Sequence, residues 1–306
     1  MGGYGPSTNP FSKALKFIGE RLEAEFGDRV DVKYVWNILD LGYRDEDILW
    51  LVENGLLTLG YQSSSYLTDR VPELGFVDLP FLFKNNAQAR AAIDGALGDH
   101  LTRKIEERIN YRILGYFENG FRQISNRLRP VRKPEDLAGM KIRVLPSDVQ
   151  ARTFELLGAT ALKMDLTEAI DGIVNGTIDA QENPLSNTVT YGVHKFHRYY
   201  TLSNHFYVSR PIFAHRDTVD GWPGDLKAAM NKAVRDAVTF QRGLSEQESI
   251  AAQKQIENEG GQIVELIPAC ADQNPCAQSR IPMYMIFHGR SMSLFQASQQ
   301  RVTISS

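Results

Sequence analysis

Between Pro223 and Asn258 the chain keeps a helical pattern with no internal proline, and Leu226, Met230, Ala233, Ala237 and Phe240 give that pattern an apolar face. At ~1.5 Å per residue such a helix outruns the diameter of one small domain, so it is expected to lie across two.

The remaining sequence alternates helices with strands. Asn9 and Pro10 make a helix start, the cap and the fixed first dihedral, and Phe11, Leu15, Ile18, Leu22 and Phe26 follow at helical spacing until Gly27. Residues 30–35 alternate as a strand, 45–54 read as a helix stopped by Gly55, and 56–61 as a buried strand. That order predicts parallel strands joined by helical crossovers, with ligands at the strands' carboxyl ends, where residues 61–66 (Tyr-Gln-Ser-Ser-Ser-Tyr) lie. A helical stretch over 87–108 and a strand over 112–116 lead to a second unit. There, strands at 141–144, 161–164 and 178–181 alternate with helices at 147–157 and 167–175, each stopped by glycine. Further strands are read at 199–202 and 207–214. Two α/β modules joined by several crossings predict a hinged, bilobal molecule with a cleft between the lobes.

Composition narrows the partners. With 306 residues, 42% of them hydrophobic and 23% charged, the chain can bury a sizeable core. A net charge of -3 with interspersed signs offers no basic stripe for nucleic acid. The most apolar windows, 79–83 and 48–52, fall far short of the roughly 20 residues that cross a bilayer. The opening Met1-Gly2-Gly3-Tyr4-Gly5-Pro6 has neither a basic nor an apolar leader region, so no signal peptide is read there. Cys270 and Cys276 do not have zinc-site spacing and fit a local disulfide or two free thiols equally. There is no GxGxxG, Walker A, GxSxG, HExxH or CxxC pattern.

The candidate binding residues cluster in the second unit. Arg143 alternates with Ile142 and Val144 near the carboxyl end of a strand, where its permanently charged fork suits a buried carboxylate; taken alone it reads more simply as a surface ion pair. Asn183 in Gln181-Glu182-Asn183-Pro184 is held extended by the proline and can donate or accept, or the group is an ordinary turn. Arg122 stands at the lobe junction, able to meet a ligand or to bridge the lobes. The run Ser63-Ser64-Ser65 supplies hydroxyl and backbone donors without a nucleophile–base motif. His194 and His197 read as solvated helix-end histidines, and Trp36, Trp50 and Trp222 as packing residues.

Four ordered blocks resemble the solute-binding proteins of TRAP (tripartite ATP-independent periplasmic) transporters, of the dicarboxylate-binding kind. They are residues 71–83 (VPELGFVDLPFLF), 118–122 (ENGFR), 134–144 (PEDLAGMKIRV), and 181–184 (QENP) with Ser203-Asn204-His205 after it. The resemblance spans about residues 3–267. It implies a two-lobed, periplasmic-binding-protein-like (Venus flytrap) α/β fold with a long helix spanning both lobes. It implies a ligand carboxylate on Arg143, a second arginine near the ligand at Arg122, and Asn183 facing the carboxylate. Leu166 stands where some relatives place an aromatic residue on the ligand, which reshapes the pocket. Residues 268–306 match poorly apart from Pro282-Met283-Tyr284.

The expected lobes are 1–120 with about 208–248, and 121–207 with about 249–306. The expected function is extracytoplasmic capture of a small organic acid by Arg143, Asn183, Arg122, Ser63, Ser64, Leu166 and Glu182, and its delivery to TRAP membrane permease subunits. No catalytic residue, metal or cofactor is expected, the location is periplasmic with the signal trimmed, and the protein is a monomer. An enzyme or a sensory receptor on the same fold is the alternative; the enzyme would have to draw its base from Glu182.

Overall fold

The computed structural model describes residues 1–264 and 266 of the chain, so Cys270, Cys276 and the 282–284 match lie outside the described residues. Helix α1 (Pro10–Phe26) begins as its sequence dictates. The Asn9 side chain accepts from the Ser12 amide at 2.7 Å, Pro10 occupies the first turn, and Gly27 ends the helix at φ 55°. Next come α2 (Asp47–Glu53), β1 (Leu59–Tyr61), α3 (Asn86–Ile93), α4 (Ala96–Arg108), β2 (Tyr111–Phe121) and β3 (Gln123–Asn126). The second unit supplies β4 (Lys141–Val144), α5 (Asp148–Leu156), β5 (Thr160–Lys163), α6 (Leu166–Val174), β6 (Ala180–Asn183), α7 (Leu185–Thr190) and β7 (Tyr199–Thr201). The chain then forms β8 (Tyr207–His215), α8 (Arg216–Asp220), α9 (Gly224–Asn258) and β9 (Gln262–Val264).

Two sheets organise the fold. One has the order β1-β8-β2 and is antiparallel throughout; the other runs β5-β4-β6-β3-β7-β9. In the second, β4 pairs in parallel with β5 on one side and β6 on the other, because α5 carries the chain from β4 out to β5 and α6 carries it back past β4 to β6. This reversal opens a crevice at the carboxyl end of β4.

Several sequence expectations are corrected. The first unit's strands pair only antiparallel: β8, returning from the other lobe, pairs in this way with both β1 and β2. Residues 30–35 form no strand, since among them only Val35 makes a β-bridge, to Gly2, exchanging backbone hydrogen bonds with Met1 and Gly3. The helix over 87–108 is two helices, broken at Gly95, whose backbone is extended. Strand β2 runs on to Phe121 through two bulges, the second of which places Gly120 at φ 90°, a conformation open to glycine.

A large apolar core unites α1, α2, β1, β2, β8 and the first half of α9; a second gathers β3–β6 and α5. Helix α9, 35 residues and about 52 Å long, buries Ala229 to Gln241 against the first lobe. Its Ala252 and Ile256 pack with Leu185 and Tyr200 of the second lobe. Between these patches, residues 242–251 bury no side chain. The molecule is thus two-lobed, with one helix common to both lobes. Among the described residues, no helix is long and apolar enough to cross a membrane.

Candidate ligand-binding cleft

The parallel arrangement of β4 and β6 brings their carboxyl ends to one edge, and antiparallel β3 begins there, with Gln123 opposite Asn183. Arg122, Arg143 and Asn183 therefore converge at the edge that faces the first lobe, and the amino end of α6, at Leu166, joins them.

Arg143 is buried, and its acceptors are neutral. Nε and Nη2 donate to the Met164 carbonyl at 3.1 and 3.0 Å, and Nη2 donates to the Tyr66 hydroxyl at 3.1 Å. Asn183 accepts through its side-chain oxygen from Asn187 Nδ2 at 3.1 Å, and Asn187 also donates to Asn119 at 2.9 Å. Arg122 and Glu182 turn on each other instead. Arg122 Nη2 donates to Glu182 Oε1 at 2.8 Å, Nε donates to Oε2, and both side chains are fully buried. Burial would raise the Glu182 carboxyl, but Arg122 and His205, whose Nε2 lies 3.6 Å away, hold it below its ordinary value.

The facing lobe closes over this edge through several polar contacts. Asp45 accepts from the Leu166 amide at 3.0 Å and from Gln62 Nε2 at 3.1 Å, and Arg44 pairs with Asp165, the α6 cap, at 3.2 Å. Burial raises the Asp45 carboxyl, against the opposing pull of Arg143 and of the Leu166 amide. Leu166 itself packs into the first lobe's core. Ser63 and Ser64 are buried here, and the Ser64 hydroxyl has no partner. Ser65 donates to Asp78 at 2.8 Å, and Gln150 of α5 reaches both at 3.1 Å. Thr68 donates to the Pro146 carbonyl at 3.0 Å. These bonds describe a closed form.

Sequence reasoning missed the other wall. Arg210 on β8, only 3% exposed, stands amid Tyr4, Phe11 and Tyr61, with its guanidinium carbon 4.1 Å from the Phe11 ring centre. The signal was a lone charge in an otherwise buried strand, Tyr207-Val208-Ser209-Arg210-Pro211-Ile212-Phe213-Ala214. Both histidines were misread too. His197 is buried against the Ser125 hydroxyl at 2.9 Å, and the side chain of His194 is covered and lies 3.2 Å from Glu259. Trp36 stacks on Tyr34 at 4.3 Å, while Trp50 is largely exposed.

Two open hollows of about 540 and 530 Å³ lie elsewhere, beside α6 and between α4 and α9. Their cations are paired (Arg44 with Asp165, Arg242 with Asp94) or exposed (Lys141, Arg235), so neither offers an anion a buried, unclaimed charge.

Comparisons with known proteins agree with the two-lobed fold. A solute-binding protein of Verminephrobacter eiseniae is 30% identical over 229 residues, covering 75% of this chain and 68% of that protein. The 2,3-diketo-L-gulonate-binding periplasmic protein YiaO of Escherichia coli is 30% identical over 193 residues, 63% of this chain and 58% of its own length. The sugar acid binding protein DctPAm of Advenella mimigardefordensis, solved in complex with galactonate, superposes with a TM-score of 0.87 at 28% identity, covering 99% of this chain and 92% of that one. Residues 1–286 match the family described as bacterial extracellular solute-binding protein, family 7, and the chain belongs to that family, the DctP family of TRAP solute-binding proteins.

Proposed function

We propose that the closed cleft holds a small organic acid with its carboxylate on Arg143, and that the protein delivers this acid, outside the cytoplasmic membrane, to TRAP permease subunits. The observation that carries this reading is the Arg143 guanidinium, buried at the carboxyl end of β4 with only neutral oxygens as direct acceptors. A cation in that setting gains most from an anion that arrives with the ligand. Asn183, Ser63 and Ser64 line the same closure, and Leu166 shapes it. Arg122 and Glu182 brace the cleft floor as a pair rather than touching ligand.

The lobes in this reading are 1–120 with about 208–248, and 121–207 with about 249–306, working as a periplasmic monomer. Engagement of Glu182 by Arg122 leaves it poorly placed as a base, which favours binding over catalysis on this fold. Relatives that bind galactonate and 2,3-diketo-L-gulonate direct attention to hydroxylated acids. Calorimetry tests the reading. Arg143→Ala is expected to weaken an acid by about 2–5 kcal/mol, roughly 30- to 3,000-fold; a loss under threefold removes Arg143 from the clamp.

A further inference from the structure

Among the described residues three cationic side chains are buried, Arg122, Arg143 and Arg210. Glu182 neutralises Arg122, whereas no described carboxylate lies within 4 Å of the other two. These two stand on opposite lobes, Arg143 on β4 and Arg210 on β8, and Tyr66 and Tyr191 each interact electrostatically with both.

Arg210 is the more exposed of the two to an electrostatic penalty. Its Nε and Nη1 are buried and donate to nothing. Its surroundings are ring faces and phenols: Tyr4, Phe11 and Tyr61 form the cage, and Tyr191 hydrogen-bonds to it. Cation–π contacts compensate a buried guanidinium only in part. The phenols supply no negative charge near neutrality, because burial raises the pKa of each of them. Asp45, the carboxylate that senses this neighbourhood, spends its oxygens on the Leu166 amide and Gln62. A desolvated cation with idle donors on a cleft wall is costly without an anion, and the described residues place none against it.

We infer that Arg210 is a second ligand-anchoring residue, and that it selects acids carrying an anionic group at each end, one for Arg143 and one for Arg210. The inference rests on the cleft being the ligand site and adds the far end of the ligand to it. A monoanion would leave one guanidinium to Asp45 alone, whereas a dianion serves both. The aromatic cage fixes the plane of the Arg210 fork, so the second group is met by an oriented donor set rather than by a diffuse charge.

The test uses the full chain, unfolded and refolded to strip any bound acid, with matched probes: erythronate against meso-tartrate, and galactonate against galactarate. Each pair differs by a terminal alcohol against a carboxylate. Calorimetry is expected to show at least one diacid binding about 30-fold or more tighter than its monoacid. In R210Q that preference should vanish, while Arg143→Ala should weaken both probes of a pair. If R210Q does not fold, R210K decides: reduced discrimination supports the inference, and discrimination equal to wild type overturns it. Equal or better monoacid binding by wild type also overturns it while leaving the cleft reading intact. Failure of wild type to bind any acid overturns both.

Discussion

Arg122 and Glu182 meet side-on, Nη2 to Oε1 at 2.8 Å and Nε to Oε2, in a pair wholly removed from solvent where β3 begins beside the end of β6. Removing one partner of such a pair strands the other charge. Arg122→Ala is therefore expected to cost about 3–5 kcal/mol of stability, and the double replacement Arg122→Met with Glu182→Leu to cost much less. Urea denaturation of Arg122→Ala, of the double replacement and of its single components Arg122→Met and Glu182→Leu measures this; an additive double mutant would mean the pair is not an interacting unit.

Asp78 gives stability a pH dependence of one sign. Burial lifts its carboxyl from 3.8 to about 6, with Glu182 adding to the rise and hydrogen bonds from Ser147, Ser65 and Gln150 opposing it. The folded state then binds this proton more tightly than the unfolded state does, so the contribution of Asp78 to stability is greatest below about pH 4 and falls as pH rises through 6, by up to about 3 kcal/mol. In Asp78→Asn the fall should flatten, so that the stability difference between variant and wild type moves in the variant's favour from pH 4 to pH 7. Parallel stability curves would refute it.

His197 acts in the opposite direction. Burial, reinforced by Arg127, lowers it to about 3 from 6.5, so the unfolded chain takes up this proton first. Stability is lost as pH falls below 6.5, by up to ~5 kcal/mol near pH 3. Replacing it by glutamine, which does not titrate, should push the acid limb of the melting-temperature profile to lower pH. An unchanged acid limb would assign it to other groups.

Gly243 sits in the stretch of α9 that bridges the lobes, and a Cβ built there meets nothing within 4 Å. Glycine in a helix interior costs about 1 kcal/mol relative to alanine. Gly243→Ala should thus raise stability by up to that amount and, by stiffening the bridge, slow ligand-induced closure in stopped-flow fluorescence. A destabilised variant would show that the site is sterically closed.

Legibility varied with how locally each feature was encoded. The module from β4 to β6 and helix α9 were readable because each carries its own caps, stops and apolar spacing. The antiparallel order β1-β8-β2 was not, since β8 lies some 150 residues from β1 and pairing at that separation leaves no periodic trace. Arg143 and Asn183 were visible as the polar ends of readable strands. Arg210 was passed over because its meaning depends on Tyr4, Phe11 and Tyr61, which arrive from the far end of the sequence. Glu182 was visible, but its commitment to Arg122 was not.

Helix α9 is shared property. Ala229 to Gln241 belong to one core, and Ala252 and Ile256 to the other. In a chain built as two beads on a string, each lobe could lose its order alone, and an acid in the cleft would protect only what it touches. Here neither lobe can melt without surrendering part of a helix that the other needs. Free energy gained where the lobes meet is thereby spread along the whole strut, to ends about 50 Å apart that no ligand reaches.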